Sequence, residues 1–368
     1  MSLNEIIVWI MVIIMILGGI DKILENKFGL GEQFDEGIMA MGSLALSMAG
    51  IIVLAPKLSD WLSPVIVPLF ELFGADPAMF AGTILANDMG GYFLAQQLSN
   101  DPAIVGFSGL ILGAMLGPTL VFSIPVGLGI IEAEDRPALA QGILYGVITI
   151  PLGAIVGGLL TGLSIGVILT NLIPIIIIAL LIVIGLWVIP NQLIKGFIVF
   201  GKIIVAVATI GLAIGTLELL VGVKVFENQD SLSVAFETVG GIAVTLAGAY
   251  GLVYIITRLF EKPLLKVGNL LGMNDIAAAG LIATLANNIA MFNNLKNMDE
   301  RGKVINVAFA VSASFTIGDH LGFTAGVAPE FITPMIVGKL VGGVTAVLVA
   351  LFFVNRVSKP EVSTQQEM

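Results

Sequence analysis

Long apolar stretches separated by short polar breaks recur along the whole chain. Eleven of them approach the roughly 20 residues that an α-helix needs to cross a bilayer. These stretches cover residues 3–21, 37–56, 76–98, 103–131, 137–163, 165–189, 195–222, 234–257, 275–296, 303–326 and 331–354. The breaks between them are too short to fold as soluble domains. The pattern therefore predicts an all-α polytopic membrane protein.

The composition agrees with this interpretation. Apolar residues make up 57% of the 368 residues, and the mean hydropathy is +1.06. Charged residues account for 11%, against about 25% in a typical soluble domain. A large part of the surface therefore has to face lipid. A net charge of −10 with 16 basic residues argues against nucleic-acid binding. The lack of Cys and the single His, His320, exclude thiolate and multi-histidine metal sites, and we expect neither a metal nor a cofactor.

Short motifs repeat between the two halves of the chain. Four matches occur in the same order: Pro64 with Pro263, LAND at 85–88 with LANN at 285–288, Thr119 with Asp319, and IVGGL at 155–159 with LVGGV at 340–344. The second and third share a shift of 200 positions. Matches in one order predict a duplicated unit. The predicted parts are repeat 1 at 1–165, a connecting transmembrane helix at 166–191, repeat 2 at 192–356 and a polar C-terminal tail at 357–368.

The distribution of Lys and Arg indicates which segments cross. If all eleven segments cross and the C-terminal tail is inside, the basic residues outside the spans divide into eight inside and six outside. If 76–98 and 275–296 are instead re-entrant hairpins, twelve lie inside and two, Lys57 and Lys224, lie outside. Because cytoplasmic loops carry an excess of Lys and Arg, the second arrangement is favoured. It has nine crossings, an outside N-terminus, an inside C-terminus and two inverted repeats.

Inverted repeats whose broken segments meet near the bilayer midplane are typical of secondary transporters. Four breaks would converge here: two hairpin tips and two interrupted helices, the latter at 117–119 and 318–320. Non-helical backbone at that depth persists only where protein or water satisfies it. By analogy at the level of the fold, we expect an elevator-like secondary transporter with inverted structural repeats, two re-entrant helical hairpins and interrupted helices.

The polar residues at these breaks form the candidate substrate site. Ionisable side chains inside membrane segments are rare and by default functional. The candidates supply two carboxylates, three amides, three hydroxyls and an imidazole: Asn87, Asp88, Thr119, Ser123, Asn287, Asn288, Thr316, Asp319 and His320. A carboxylate pairs with an ammonium group, and amides or hydroxyls recognise a hydroxyl group. The set therefore suits a small polar cation.

Purely structural roles are the alternative for each of these groups. The Asn side chains would then cap half-helices, the Asp side chains would hold buried hydrogen bonds, and His320 would bond only unwound backbone. Lys202 and Lys339 are weaker candidates, because long side chains can reach an interface or pair internally.

Several blocks of the sequence resemble the ethanolamine-utilization permeases, a bacterial family encoded beside microcompartment genes that degrade ethanolamine. The resemblance covers nearly the whole chain and rests on GIMAMG at 37–42, MFAGTILANDMGG at 79–91, GPTLVFSIPVG at 117–127, IAAAGLIATLANN at 276–288 and GDHLGF at 318–323. It implies uptake of ethanolamine across the bacterial cytoplasmic (inner) membrane by a permease and not an enzyme. It supplies no binding residues, so the site prediction depends on the repeats alone.

Two other classes of function remain open. A passive channel or facilitator for a small polar solute predicts flux that does not saturate. A membrane-bound enzyme or a subunit of an ion pump needs a catalytic dyad or a soluble partner, and the sequence shows neither. The expected partners are ethanolamine and the lipid bilayer, and we expect a homo-oligomer because elevator scaffolds commonly self-associate.

Overall fold

The computed structural model describes residues 1–357, and these residues contain helices, turns and no strand. Eight helices in this part of the chain are long and apolar enough to cross a membrane. The prediction of an all-helical polytopic membrane protein is therefore confirmed. The predicted C-terminal tail lies almost entirely outside the described residues.

The first half begins with two long helices and ends with another. Its elements are α1 (Leu3–Ile23), α2 (Leu30–Glu71), α3 (Met79–Ile84), α4 (Gly91–Leu98), α5 (Pro102–Ile130) and α6 (Arg136–Leu160). The short helices α3 and α4 are separated by residues 85–90 and pack against each other. Helix α7 (Ile165–Val188) connects this half to the next.

The second half repeats the order of element types. Its elements are α8 (Pro190–Val221), α9 (Leu232–Leu270), α10 (Asp275–Ala286), α11 (Asn288–Asn294), α12 (Glu300–Ala313), α13 (Asp319–Val327) and α14 (Ile332–Val357). Helices α10 and α11 are a second packed pair of short helices, and α12 with α13 corresponds to α5. Both halves therefore place short helices between a long helix and an irregular one.

Polar side chains mark where several helices begin. Ser2, Asp101, Ser164, Asn274 and Asp299 each accept a hydrogen bond from a backbone N–H in the first turn of the helix that follows. These N–H groups have no partner within the helix, so a side-chain oxygen satisfies them. The caps separate apolar segments that hydropathy alone would leave without clear ends.

The interrupted helices differ from the prediction in where the irregularity lies. Helix α5 runs through 117–119 without a gap, but it contains π-helical turns at Phe107–Ile111 and Thr119–Ser123 and a 3₁₀ turn at Leu112–Ala114. In the second half the chain leaves the helix at residues 314–318, upstream of the predicted 318–320. Phe315 has a φ of +63° there. A bulky residue takes up this conformation only where its surroundings hold it.

Helix α5 lies in the interior, whereas α8 faces outwards. In the most apolar part of α5, 94% of the residues are buried, against 17% in α8 and 22% in α1. Apolar side chains that remain exposed on a helix of this length need lipid or another subunit as their solvent. The irregular hydrogen bonding of α5 thus occurs where protein surrounds it on all sides.

Contacts between distant loops define one end of the helix bundle. Lys296 Nζ lies 3.0 Å from Glu132, and Lys303 Nζ lies 2.7 Å from Asp135. The loop that follows α5 and the segment that follows α11 therefore lie at the same end of the bundle. Lys57, one of the two basic residues that the sequence predicts to lie outside, has its ammonium 5.8 Å from the centre of the Phe226 ring.

The Lys303–Asp135 pair gives a test of the fold. Both side chains are at most 10% exposed. Replacing Asp135 with Asn leaves the buried Lys303 paired only with the exposed Glu300 and is expected to destabilise the protein by about 2 kcal/mol. Thermal unfolding in detergent measures this loss. The matched control is Glu132→Gln, which removes a pair whose side chains are both 55% exposed and is expected to change stability by less than about 1 kcal/mol. Equal unfolding temperatures for the two variants would contradict the assignment.

Candidate functional site

A cavity of about 750 Å³ lies where the short helices and the irregular helices meet. Its polar lining includes Asp88 from the α3–α4 break, Asn287 from the α10–α11 break, and Asp319 and His320 from the start of α13. The remaining walls are formed by α2, α5, α8 and α9. Residues that are 200 or more positions apart in the sequence thus face one space.

The α3–α4 break places Asp88 at the cavity. Leu85 and Ala86 are extended, residues 87–89 form one 3₁₀ turn, and Gly90 has a φ of +90°. A Cβ at Gly90 would lie 2.2 Å from the Ile51 side chain, so both the conformation and the space require glycine. The turn leaves the Asp88 side chain half-buried against the cavity.

The α10–α11 break has a different local structure. Asn287 is extended, with φ −158° and ψ 130°, and its Oδ1 accepts a hydrogen bond of 2.8 Å from the N–H of Ile289. Asn287 therefore caps α11 and also lines the cavity. The neighbouring Asn288 is fully buried and donates a hydrogen bond of 2.7 Å from Nδ2 to Ser123 Oγ.

Each irregular helix touches the break of the short-helix pair in its own half. A Cβ at Gly117 would lie 2.0 Å from the Leu85 carbonyl oxygen, and one at Gly318 would lie 2.5 Å from the Ala286 carbonyl oxygen. Both approaches need the missing side chain of glycine. In the second half the contact includes a backbone hydrogen bond of 3.0 Å from the Ile317 N–H to the Leu285 carbonyl.

Asp319 has a specific hydrogen-bond partner. The Tyr250 hydroxyl on α9 donates to Asp319 Oδ1, and both side chains line the cavity. The adjacent His320 is buried, and its Nδ1 has no hydrogen-bond partner among residues 1–357. An unpaired imidazole nitrogen at a cavity wall is available to a ligand or to water.

Asp88 and Asp319 both line the cavity, and a buried lysine lies on α14. Lys339 on α14 is 1% exposed, and its ammonium donates to the Ala114 carbonyl in the irregular part of α5.

The cavity includes only part of the nine-residue candidate set. Asp88, Asn287, Asp319 and His320 line it. The other five are buried beneath the wall: Asn87, Thr119, Ser123, Asn288 and Thr316. The two threonine hydroxyls donate to helix carbonyls, Thr119 to Met115 and Val311 and Thr316 to Ala313. Within the described residues, no group of three or more His, Cys, Asp or Glu side chains could hold a metal ion.

The sequence interpretation missed several lining residues. Tyr250, Phe122 and Phe315 face the cavity, and so does Lys202, which the sequence offered only as a weaker candidate. The Phe122 and Phe315 rings make an edge contact with their centres 5.6 Å apart. A Tyr inside an apolar segment is a usable signal, because a buried O–H usually finds a hydrogen-bond partner. The two Phe residues carry no signal that separates them from ordinary core residues.

Comparisons with known proteins identify relatives over the full length of the chain. The family described as "Ethanolamine utilisation protein, EutH" matches residues 3–353. A Listeria monocytogenes protein named "Probable ethanolamine permease EutH" is 60% identical over 366 residues, covering 100% of this chain and 98% of the relative. A Salmonella typhimurium protein of the same name is 49% identical over 405 residues, covering 100% and 99%. The "Uncharacterized protein YxeR" of Bacillus subtilis is 47% identical over 350 residues, covering 95% of each. No solved structure matches the chain.

Proposed function

Since the chain belongs to the EutH family of ethanolamine utilisation proteins, we propose that it carries ethanolamine, in the ammonium form, across the bacterial cytoplasmic membrane. The observation that carries the proposal is the cavity with Asp88 and Asp319 on its wall. Relatives at 49–60% identity are named probable ethanolamine permeases, and a permease is a transporter and not an enzyme.

The chemistry of the cavity suits a small ammonium ion that carries a hydroxyl group. A carboxylate forms charge-assisted hydrogen bonds with an ammonium, and the faces of Tyr250, Phe122 and Phe315 attract a cation. The unpaired Nδ1 of His320 and the amide of Asn287 lie on the same wall and can hydrogen-bond the hydroxyl. This arrangement recognises both ends of ethanolamine.

A re-entrant hairpin at α10–α11 explains the loop contacts best. If every apolar segment crossed, the loop at Glu132–Asp135 and the loop at Lys296–Lys303 would lie on opposite sides of the membrane. Their ion pairs of 3.0 and 2.7 Å require one side. Making α10–α11 a hairpin puts the two loops on one side, whereas α3–α4 precedes both loops and does not change their relation. With both pairs as hairpins, the chain has nine crossings.

Reciprocal packing supports inverted repeats related by a two-fold axis. A Cβ at Gly153 would lie 2.4 Å from the Gly338 carbonyl oxygen, and one at Gly338 would lie 2.9 Å from the Gly153 carbonyl oxygen. In the same way, Gly153 lies close to Gly342, and Gly338 lies close to Gly157. A two-fold axis produces such reciprocal contacts, because each residue meets the counterpart of its own partner.

The position of the cavity supports an elevator-like movement. One wall consists of the hairpins, the irregular helix α5 and α13, and the other consists of α2, α8 and α9. A movement of the first group along the second would carry the cavity from one side of the membrane to the other. The exposed apolar face of α8 is available for lipid or for a second subunit, and we propose a homo-oligomer with the N-terminus outside and the C-terminus inside.

A pH experiment tests which form is transported. A primary alkylamine resembles the Lys side chain, whose reference pKa is about 10.4, so lowering the pH from 8 to 6 reduces the neutral amine about 100-fold and hardly changes the cation. We expect saturable uptake that depends on the protein to stay within about twofold over this range, because carboxylates recognise the ammonium form. Radiolabelled ethanolamine uptake by cells with and without the protein measures both components.

Two results would contradict the proposal. Protein-dependent uptake that falls in parallel with the neutral amine would identify a facilitator of uncharged ethanolamine. Flux that rises linearly with concentration would identify a channel. Cells that lack the protein are the control for passive diffusion.

A further inference from the structure

A second, smaller cavity lies against the substrate cavity. It has a volume of about 190 Å³ and shares Tyr250, Asn287 and Asp319 with the substrate cavity. Its remaining wall includes Gln33 and Glu36 of α2. We call this space the side cavity. Since about 10–15 Å³ of such volume holds one water molecule, a small ammonium ion and several waters fit inside it.

Glu36 lies between the side cavity and the protein surface. It also lines a groove of about 600 Å³ at the surface, formed by the end of α1, the α1–α2 loop and the start of α2. Met39, another residue of this groove, is 77% exposed. Among the described residues that line the groove, only Glu36 also lines the side cavity. One carboxylate thus faces both the surface groove and a space that reaches Asp319.

Close packing of α2 against α9 fixes the depth of Glu36. A Cβ at Gly37 would lie 2.3 Å from the Ala247 backbone, and the Tyr254 hydroxyl donates a hydrogen bond of 3.0 Å to the Phe28 carbonyl. These two contacts show that α2 and α9 run antiparallel. Because Glu36 directly precedes Gly37, it lies between the substrate cavity and the α1–α2 loop.

The Glu36 carboxylate is available for a ligand, whereas its acidic neighbours have structural partners. Asp35 forms an ion pair with Lys22, and the buried Asp21 accepts hydrogen bonds from three backbone N–H groups of the α1–α2 loop and the first turn of α2. Glu36 is exposed and has no ion pair or side-chain hydrogen bond among the described side chains. A free carboxylate at this position can bind an ammonium ion.

Contacts at the other end of α1 indicate which side the groove faces. The Asn4 side chain donates a hydrogen bond of 2.7 Å to the Glu330 carbonyl and accepts one of 3.0 Å from the Thr333 N–H. The start of α1 therefore lies beside the link between α13 and α14. Helix α1 has 21 residues, which is enough to cross the bilayer, so the groove lies on the opposite side. With the N-terminus outside, as proposed above, the groove opens to the inside.

We propose that Glu36 is a second ammonium-binding residue, on a route that leads from the substrate cavity through the side cavity to the inner side of the membrane. The inference rests on the proposed function and adds the path by which the substrate leaves. The ammonium group passes from Asp319 to Glu36, so it exchanges one carboxylate for another before it reaches water. The amides of Asn287 and Gln33 lie on the same wall and can hydrogen-bond the hydroxyl group on the way.

A single cysteine can report on this route, because the chain contains no Cys. Val253→Cys places a thiol on the wall of the side cavity and leaves Glu36 in place. The probes are two membrane-impermeant methanethiosulfonates, a cationic trimethylammonium-ethyl reagent and an anionic sulfonato-ethyl reagent. We expect both to label the thiol faster in inside-out vesicles than in spheroplasts. Relative to a free thiol in solution, the cationic reagent should be favoured, because a passage lined with carboxylates concentrates cations.

Glu36→Gln in the Val253→Cys background tests the carboxylate itself. The ratio of cationic to anionic labelling rates is expected to fall about fivefold, because the local concentration of cations decreases. Glu134→Gln removes a carboxylate from an exposed loop elsewhere and, as the matched control, should leave the ratio unchanged. A ratio that Glu36→Gln does not change, or labelling that is no faster from the inner side than from the outer side, overturns the inference.

Transport and binding measurements separate this inference from the proposed function. Glu36→Gln is expected to slow the exchange of radiolabelled against unlabelled ethanolamine in liposomes about fivefold. Equilibrium binding of ethanolamine should stay close to that of the wild type, because Asp88 and Asp319 remain in the substrate cavity. Unchanged exchange overturns the inference. An absence of saturable uptake by the wild type overturns the proposed function, whereas the labelling ratio tests the route in either case.

Discussion

Asp88→Asn and Asp319→Asn variants are expected to lose saturable ethanolamine uptake by about 100-fold or more. Each carboxylate is half-buried on the cavity wall, and removing the partner of a desolvated ammonium costs about 3–5 kcal/mol. A factor of ten corresponds to about 1.4 kcal/mol, so the loss should be unmistakable. Initial rates in liposomes at matched reconstitution measure it.

Exposed charges provide the controls for this experiment. Lys224→Gln and Glu134→Gln alter side chains on exposed loops, where the interactions of a charge contribute less than about 1 kcal/mol of free energy. Their uptake should remain close to that of the wild type. Unchanged uptake by both Asp variants at equal expression would remove Asp88 and Asp319 from the substrate site.

Gly117→Ala and Gly318→Ala are expected to disrupt the junction between the hairpin breaks and the irregular helices. The new Cβ atoms would lie 2.0 Å from the Leu85 carbonyl oxygen and 2.5 Å from the Ala286 carbonyl oxygen. Backbone atoms cannot rotate away as a flexible side chain can. We expect a loss of about 3 kcal/mol in stability, together with loss of uptake, because the displaced break carries a cavity residue. Thermal unfolding and size-exclusion chromatography in detergent measure the effect.

Gly129→Ala is the matched control. Gly129 also lies on α5, but a Cβ there meets no atom within 4 Å. Because Ala favours a helix over Gly, this variant should be at least as stable as the wild type. Wild-type unfolding temperatures for Gly117→Ala and Gly318→Ala would show that the junction is looser than the structure indicates.

The two LAN motifs lie at similar junctions in the two halves of the chain. Gly117 and Gly318 pack on Leu85 and Ala286, and both pairs are separated by about the shift that relates the two LAN motifs. Matching junctions at matching positions are what the predicted duplication of a unit would produce. The resemblance to the ethanolamine-utilization permeases is confirmed by the family match over residues 3–353.

The position of each break was less predictable. Gly318 and Asp319 mark the second interruption in the sequence, yet the chain leaves the helix at 314, and Asp319 already begins α13. The departure is held by hydrogen bonds from Phe315 and Ile317 to carbonyls of α10. Such bonds join segments about 30 residues apart, and no local propensity encodes them.

The sequence by itself determined that the protein lies in a membrane, how many apolar segments it has and which polar residues lie near their interruptions. These properties follow from local composition, because transfer into lipid depends on the residues of one segment at a time. The tertiary structure decided which of these polar residues reach the cavity. Of the neighbours Asn287 and Asn288, one lines the cavity and the other donates to Ser123.

The partners of the buried charges were likewise decided only by packing. Tyr250 reaches Asp319, and Lys339 reaches the Ala114 carbonyl, across 69 and 225 positions of the chain. A buried charge has to find its partner among whatever elements surround it. The sequence shows that such a partner is needed, whereas the arrangement of helices around α5 determines which residue supplies it.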